Sequence, residues 1–421
     1  MTKTAARTLD RRRFVQLVGA GAATAVAGPL VSDARAATGI ALKVGVLVPS
    51  GSSYANMGKS LLDGLSLGFD GARSGATPVN ATLVRRDIDR GFGGAQATAQ
   101  ALLDDGADVV VAGISALTAA RIAELFGTRQ SPLVVANVGA HVVQPGAKNA
   151  YVLYDSLLYW QASYSAGRWG AANVGKKAFL AASLCDAGYD TIYAFRRGFE
   201  SAGGTIVGDG VTHVDLADAG LSALFAAVRS SGADLVYALY SGADATQLVH
   251  AYAGAGLGAK LVTGSLAVED YSLGATGGSA VGTMSVASWT ASRGTNTNRL
   301  FTKAFKTRTG RAADPFAALG YDVAAFVAEG ARRATKQGLG LRRLIDALAD
   351  VSLETARGTL TIDSKTNTVT GPLWVRQVKR TTTGPANADV SQAPAVAGVP
   401  NPLLPLADGP VAGYVNEYLC A

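Results

Sequence analysis

Histidine and cysteine are scarce in this chain, with three and two copies in 421 residues. His141, His213 and His250 never fall at HxxxH or HExxH spacing, so no helix-borne metal site is encoded. A Gly-x-x-x-x-Gly-Lys-Ser/Thr phosphate loop is absent. Gly113-Ile114-Ser115-Ala116-Leu117 begins like a nucleophile elbow but lacks the closing glycine. Gly19-Ala20-Gly21 resembles a dinucleotide loop, yet no strand precedes it. A hydrolase or dehydrogenase is set aside on these grounds, and no cofactor or metal is expected. Charged residues make up only 16% of the chain and form no clustered Lys/Arg stripe beyond residue 36, so nucleic acid is not an expected partner. Beyond that point no stretch is apolar for long enough to cross a bilayer, which takes about 20 residues.

What is present begins with a leader. Arg11-Arg12-Arg13-Phe14 precedes the apolar run Val15 to Val31, and Ala34-Arg35-Ala36 offers a small-x-small cleavage site. Arg11-Arg12-x-Phe14-Val15 is of twin-arginine type. Gly19, Gly21, Gly28 and Pro29 break the run and argue against a lasting anchor. Residues 1–36 are therefore expected to direct export to the periplasm and to be removed, leaving no stable membrane insertion. A cut before Ala37 takes 36 residues from 421 and leaves 385, enough for two domains. The leader holds six basic and two acidic residues, so removing its +4 from the formal +7 leaves +3. The two cysteines, Cys185 and Cys420, allow one disulfide in an oxidising compartment or two separate thiols.

From Ile40 the chain alternates short apolar runs with amphipathic stretches, the pattern of parallel α/β units. The first strand, Leu42 to Val48, stops at Pro49-Ser50-Gly51, and Met57, Leu61, Leu65 and Phe69 mark one face of the following helix. The alternation restarts after the aromatic segment Tyr151 to Tyr159. Gly106-Ala107-Asp108 and Gly232-Ala233-Asp234 each follow a helix pattern and open a buried strand, which points to two similar doubly wound lobes. Helices are expected near 298–307, 317–335 and 341–348, then a hairpin of Thr359 to Ile362 with Leu373 to Val378. Residues 381–421, rich in Pro, Gly and Ala, read as a loose surface tail. Lobe 1 is expected over 37–155 plus 285–355, and lobe 2 over 156–284 plus 356–380.

Lys43-Val44-Gly45-Val46-Leu47-Val48-Pro49-Ser50-Gly51, the helix glycines Gly58 and Gly64, Tyr321-Asp322, Arg357-Gly358-Thr359-Leu360-Thr361-Ile362-Asp363 and Trp374 to Lys379 stand in a telling order. With them the chain resembles the type I periplasmic solute-binding proteins of the Leu/Ile/Val-binding class, over roughly residues 40–380. The resemblance implies two lobes joined by a three-crossover hinge, a monomer that closes on a small-molecule solute, and a membrane ABC permease complex as partner. A periplasmic ligand-sensing module is the alternative.

In open parallel sheets ligands bind beyond the carboxyl ends of the strands. The loops there supply the candidate ligand-binding residues: Ser53, Tyr54, Ser115, Thr118, Asn137, Val138 and His141 in lobe 1, and Tyr189, Tyr240, Ser265 and Glu269 in lobe 2. Each has a plainer role to set beside it. Ser115 or Thr118 fits a helix cap, Tyr240 a core position, His141 a surface loop, and Trp289 either stacks on solute or packs between lobes. The resemblance places the family's carboxylate-holding Ser at Leu117 and its ammonium-receiving acid near Ser265, with Glu269 the nearest acid. The clamp for an amino-acid zwitterion is thus not reproduced; a small polar or amphipathic solute is expected, amino acid-like, an amide or an aromatic carboxylate, with an aromatic or other carboxylate gaining ground over an α-amino acid.

Overall fold

The computed structural model describes residues 39–49, 55–88, 92–140, 148–183, 190–213 and 218–396. The leader, Cys185, Cys420, Ser53, Tyr54, His141 and Tyr189 lie outside these residues.

Lobe 1 begins with β1 (Ile40–Pro49), α1 (Ala55–Ala72), β2 (Val79–Ile88), α2 (Phe92–Asp104), β3 (Val109–Ala112), α3 (Ala116–Arg129), β4 (Leu133–Asn137) and β5 (Val152–Ser156). Lobe 2 follows with α4 (Tyr159–Asn173), β6 (Lys177–Ser183), α5 (Asp190–Ser201), β7 (Thr205–Thr212), α6 (Asp218–Ser231), β8 (Leu235–Leu239), α7 (Gly242–Gly254), β9 (Lys260–Thr263), the short α8 (Leu273–Thr276) and β10 (Met284–Ala287). The chain then returns to lobe 1 with α9 (Asn296–Thr309), α10 (Pro315–Gln337), β11 (Ser352–Thr355), β12 (Gly358–Asp363) and β13 (Thr368–Thr370). It ends in lobe 2 with β14 (Trp374–Thr381) and β15 (Gly384–Gln392).

The sheet of lobe 1 has the order β11-β12-β13-β5-β4-β3-β1-β2, and that of lobe 2 the order β15-β14-β10-β9-β8-β6-β7. Strands β1 to β5 are mutually parallel, as are β6 to β10, while β11/β12, β12/β13, β10/β14 and β14/β15 are antiparallel. Helices cover both faces of the parallel parts, so central strands are apolar throughout. Val109–Ala112 and Leu235–Leu239 are buried at every position.

The Gly-Ala-Asp echo has one structural meaning in both lobes. Gly106 and Gly232 take left-handed φ of 80° and 62°, which turn the chain out of its helix. The Asp108 carboxylate then accepts the N–H of Lys43, and the Asp108 N–H donates back to the Lys43 carbonyl, both at 2.8 Å. Asp234 does the same with Lys177, accepting its N–H at 2.8 Å and donating to its carbonyl at 2.8 Å. Each aspartate thereby pins the start of β3 or β8 to the start of the neighbouring strand, β1 or β6.

Lobe 1 is closed by α10, which lies against α1. A Cβ at Gly64 would run into the Ala317 carbonyl, and one at Gly320 into the Leu61 carbonyl, so the two backbones meet without side chains between them. Among the described residues no helix is long and apolar enough to cross a membrane.

Four expectations are corrected. The strand 358–363 does not pair with 374–381: β12 pairs with its neighbours β11 and β13 in lobe 1, and β14 pairs with β10 and β15 in lobe 2. The two-residue turn Ala356-Arg357 makes β11 the nearest partner, so the last crossover falls at 371–373. Residues 358–370 therefore join the sheet of lobe 1, and 285–287 that of lobe 2, contrary to the expected division. The expected loose tail starts with an ordered edge strand, β15, which pairs along β14 and is anchored by Asn387, buried and donating to the Val268 carbonyl. The helix expected at 341–348 is two 3-10 turns, Leu341–Arg343 and Asp346–Leu348.

Candidate functional site

Three crossovers join the lobes: 157–158, 288–295 and 371–373. At the first, the loop after β4 is stitched to the start of α4. The N–H groups of Leu157, Tyr159 and Trp160 donate to the carbonyls of Asn137, Val138 and Gly139, each at 3.0 Å. The loop after β9 arrives at the same place, since a Cβ on Gly264 would strike the Tyr159 hydroxyl. Val138 and Leu266 pack against the cores of both lobes. The carboxyl ends of β4 and β9, from different sheets, thus converge at the first crossover between the lobes.

On the lobe 1 side, Ser115 caps α3: its Oγ accepts the Thr118 N–H at 3.1 Å and donates to the Thr118 hydroxyl at 3.2 Å. Thr118 is buried and Ser115 half-buried. Asn137 shapes its own loop, donating from Nδ2 to the Ile114 carbonyl at 3.1 Å and accepting the Gly139 N–H at 2.9 Å. The loops after β3 and β4 are therefore locked together, with Ser115, Asn137 and Val138 still partly open.

On the lobe 2 side three expected ligand groups are turned inward. Tyr240 is fully buried in the core, its hydroxyl 3.1 Å from the Thr212 hydroxyl. Glu269, expected to face solute, is 3% exposed and held by Arg376, whose Nη2 and Nη1 donate to its two carboxylate oxygens at 2.9 and 3.0 Å. The same guanidinium donates to Ser285 Oγ at 3.2 Å and to the carbonyls of Trp289 and Ser265 at 3.3 Å each. All five of its N–H groups are engaged. Burial pushes the Glu269 carboxyl up, and Arg376 opposes that rise. Desolvation explains the pairing: a buried carboxylate needs a paired donor, and the bidentate arginine supplies it. Ser265 is likewise buried, with its carbonyl serving this network. Trp289 packs rather than stacks on solute: it is 2% exposed, with Phe301, Phe305 and Ala317 around it and its indole N–H donating to Asn298 Oδ1 at 2.8 Å.

Three arginines at the hinge were given no role by the sequence. Arg376 reaches the second crossover through the Trp289 carbonyl. Arg357 holds Asp155, Asp322 and the Ser156 carbonyl beside the first. Arg293, within the second, stacks on Trp374 just after the third, its guanidinium carbon 3.4 Å from the ring centroid. Tyr321-Asp322 and Arg357-Gly358 stood in the motifs of the resemblance, the one available signal that they work together.

Two parallel-sheet lobes, three crossovers and strand ends converging at the first of them define a hinged solute-binding protein. The sequence profile of the periplasmic binding protein family matches residues 41–385, and the chain belongs to that family. It is 25% identical over 360 residues to the Leu/Ile/Val-binding protein homolog 6 of Brucella melitensis, covering 83% of this chain and 91% of that one. Its fold is similar to that of an ABC transporter substrate-binding protein from Sphaerobacter thermophilus, with a TM-score of 0.78, 23% identity, and 84% and 98% of the two chains covered. It is similar also to a solute-binding protein of an ABC transporter from R. palustris in complex with benzoate, with a TM-score of 0.72, 24% identity, and 85% and 98% covered.

Proposed function

We propose that this chain is the periplasmic receptor of an ABC-type importer, exported by its twin-arginine leader, and that it closes two lobes around a small carboxylate or amide lacking a free ammonium group. The observation that carries the solute class is the saturated Glu269–Arg376 pair. An ammonium entering the cleft needs an anionic acceptor, and drawing Glu269 away would leave a buried guanidinium unpaired, a loss of about 3–5 kcal/mol. The half-open hydroxyl of Ser115 and amide of Asn137 suit a neutral or anionic polar group. The R. palustris protein of similar fold, in complex with benzoate, supports an aromatic acid as a first probe. Closure follows because only the closed form meets the solute from both lobes.

The test is calorimetry and thermal shift on the leaderless protein with benzoate, benzamide, leucine and phenylalanine. Benzoate or benzamide is expected to raise the midpoint, by an amount equivalent to about 2.7 kcal/mol at a hundredfold excess over Kd. Leucine or phenylalanine binding in preference would overturn the solute class. Turnover of a chromogenic ester with no binding of any of the four would overturn the receptor itself.

A further inference from the structure

Behind the 137–140 loop lies a charged cluster that solute has no need to touch. Arg357, in the turn between β11 and β12, has no solvent exposure. It donates from Nε to Asp322 Oδ2 at 2.6 Å, from Nη2 to Asp155 Oδ1 at 2.5 Å, and from Nη1 to the Ser156 carbonyl. Both aspartates are fully buried as well. With both ionised, two carboxylates face one guanidinium and a net negative charge is sealed away from water. One oxygen on each side, Asp155 Oδ2 and Asp322 Oδ1, is buried with no donor. A single proton would cancel that charge and supply the missing donor.

The surroundings offer little else to do so, the Thr355 hydroxyl being the one further side-chain group that acts on Asp322. Arg357 acts on both carboxyls and Asp155 raises Asp322 further. Tyr321, next along α10, is held protonated by burial and by Asp322. The Thr355 hydroxyl at the end of β11 donates to the Gly358 carbonyl at 3.0 Å and also bears on Asp322, where it only partly opposes the effect of burial. Burial pushes Asp155 up, and pushes Asp322 up to about 7.

The position gives the cluster a task. Asp155 and Ser156 end β5, and the chain leaves lobe 1 at the next residue. Leu158 then takes a left-handed φ of 57°, unusual for a branched side chain, with its N–H donated to Ser156 Oγ at 3.2 Å. Ser156 also stands in register with Asn137 and lies against Gly139. The arginine that grips Ser156 therefore holds both the strained crossover and the candidate solute loop.

We propose that the Asp155–Arg357–Asp322 cluster is a proton-controlled brace on the first crossover: with one shared proton it holds the crossover and the 137–140 loop, and on losing that proton it loosens both. The proposal goes beyond the receptor reading and is independent of which solute fills the cleft.

Amide hydrogen exchange of the leaderless, solute-free protein tests it, with rates corrected for the intrinsic pH effect from about pH 6 to about pH 8. Protection of peptides spanning 137–140 and 154–159 is expected to fall severalfold as pH rises, while α6 peptides stay constant. In Asp322→Asn the response is expected to vanish. Constant protection in the parent protein, or an unchanged response in Asp322→Asn, overturns the brace. Should that variant fail to fold, infrared spectroscopy of the parent decides: a protonated-carboxyl band that fades over the same range supports the proposal, and no such band at the acid end overturns it.

Discussion

Asp322 carries a consequence for stability that is separable from any motion of the hinge. Its carboxyl keeps a proton up to about 7 in the folded protein, whereas an unfolded chain releases it near the ordinary carboxylate value of 3.8. Between those values the folded state binds more protons than the unfolded state, so this group makes stability fall as pH rises across that window. Asp322→Asn removes the contribution. Thermal midpoints of the parent and the variant, followed from about pH 4.5 to about pH 8, are expected to draw together at the acid end and to diverge towards neutrality in favour of the variant. Parallel curves would show that Asp322 is ionised throughout. The sequence placed Asp322 and Arg357 in the motifs of the resemblance but gave them no roles. Local pattern says nothing of a guanidinium 35 residues away in the chain. Glu269 shows the same blindness from the other side. An acid in a cleft loop looks available until its partner, 107 residues on, is seen beside it.

Helix packing turns on glycines whose purpose is close approach. In lobe 1 it is Gly64 against Ala317 and Gly320 against Leu61, and in lobe 2 Gly167 against Phe195 and Gly198 against Tyr164. Gly64→Ala brings two opposed effects. The intrinsic helix gain is about 1 kcal/mol, while forcing a methyl into a filled interface costs about 1–3 kcal/mol or more. The Cβ would meet a backbone carbonyl that cannot rotate aside, so the cost is expected to win, with a net loss of about 1–2 kcal/mol in denaturant melts. Gly71→Ala, on the same helix with nothing within 4 Å, is expected to gain up to about 1 kcal/mol. Equal signs for the two would refute the packing account. The periodic elements from β1 to β9 were readable because buried strands and amphipathic helices carry their own pattern. What failed lacked one. Beyond Tyr159 and Trp160 in its first turn, α4 buries only small residues such as Ala162, Ser163, Ser165, Ala166 and Gly167, which give little periodic signal. β5 hid in the aromatic stretch ahead of it. The strand 374–381 was given the wrong partner because a pattern shows that a strand exists, not which strand it joins.

Three crossovers join the two lobes, and Arg293 ties two of them together. It belongs to the second and stacks on Trp374 at the exit of the third. Asp389 on β15 of lobe 2 and Glu354 on β11 of lobe 1 both act on its charge. Its Nε and Nη1 are nevertheless buried without an acceptor. The stacking is worth about 1–2 kcal/mol when desolvated, and two unsatisfied N–H groups offset much of it at about 1–3 kcal/mol each. Arg293→Met fills the same space and removes the orphaned donors. It is expected to leave stability within about 1 kcal/mol while freeing the second crossover from the third. Amide exchange in peptides spanning 288–295 and 371–374 is expected to rise severalfold with the thermal midpoint nearly unmoved. A loss of about 3–5 kcal/mol, the size of a core truncation, would make Arg293 an anchor of the fold instead of a link within the hinge. The number of crossovers was foreseen through the resemblance, yet the third was expected about fifteen residues too early. Its true place, immediately before Trp374, is what sets that ring beneath Arg293 and makes the hinge a coupled unit instead of three independent strands.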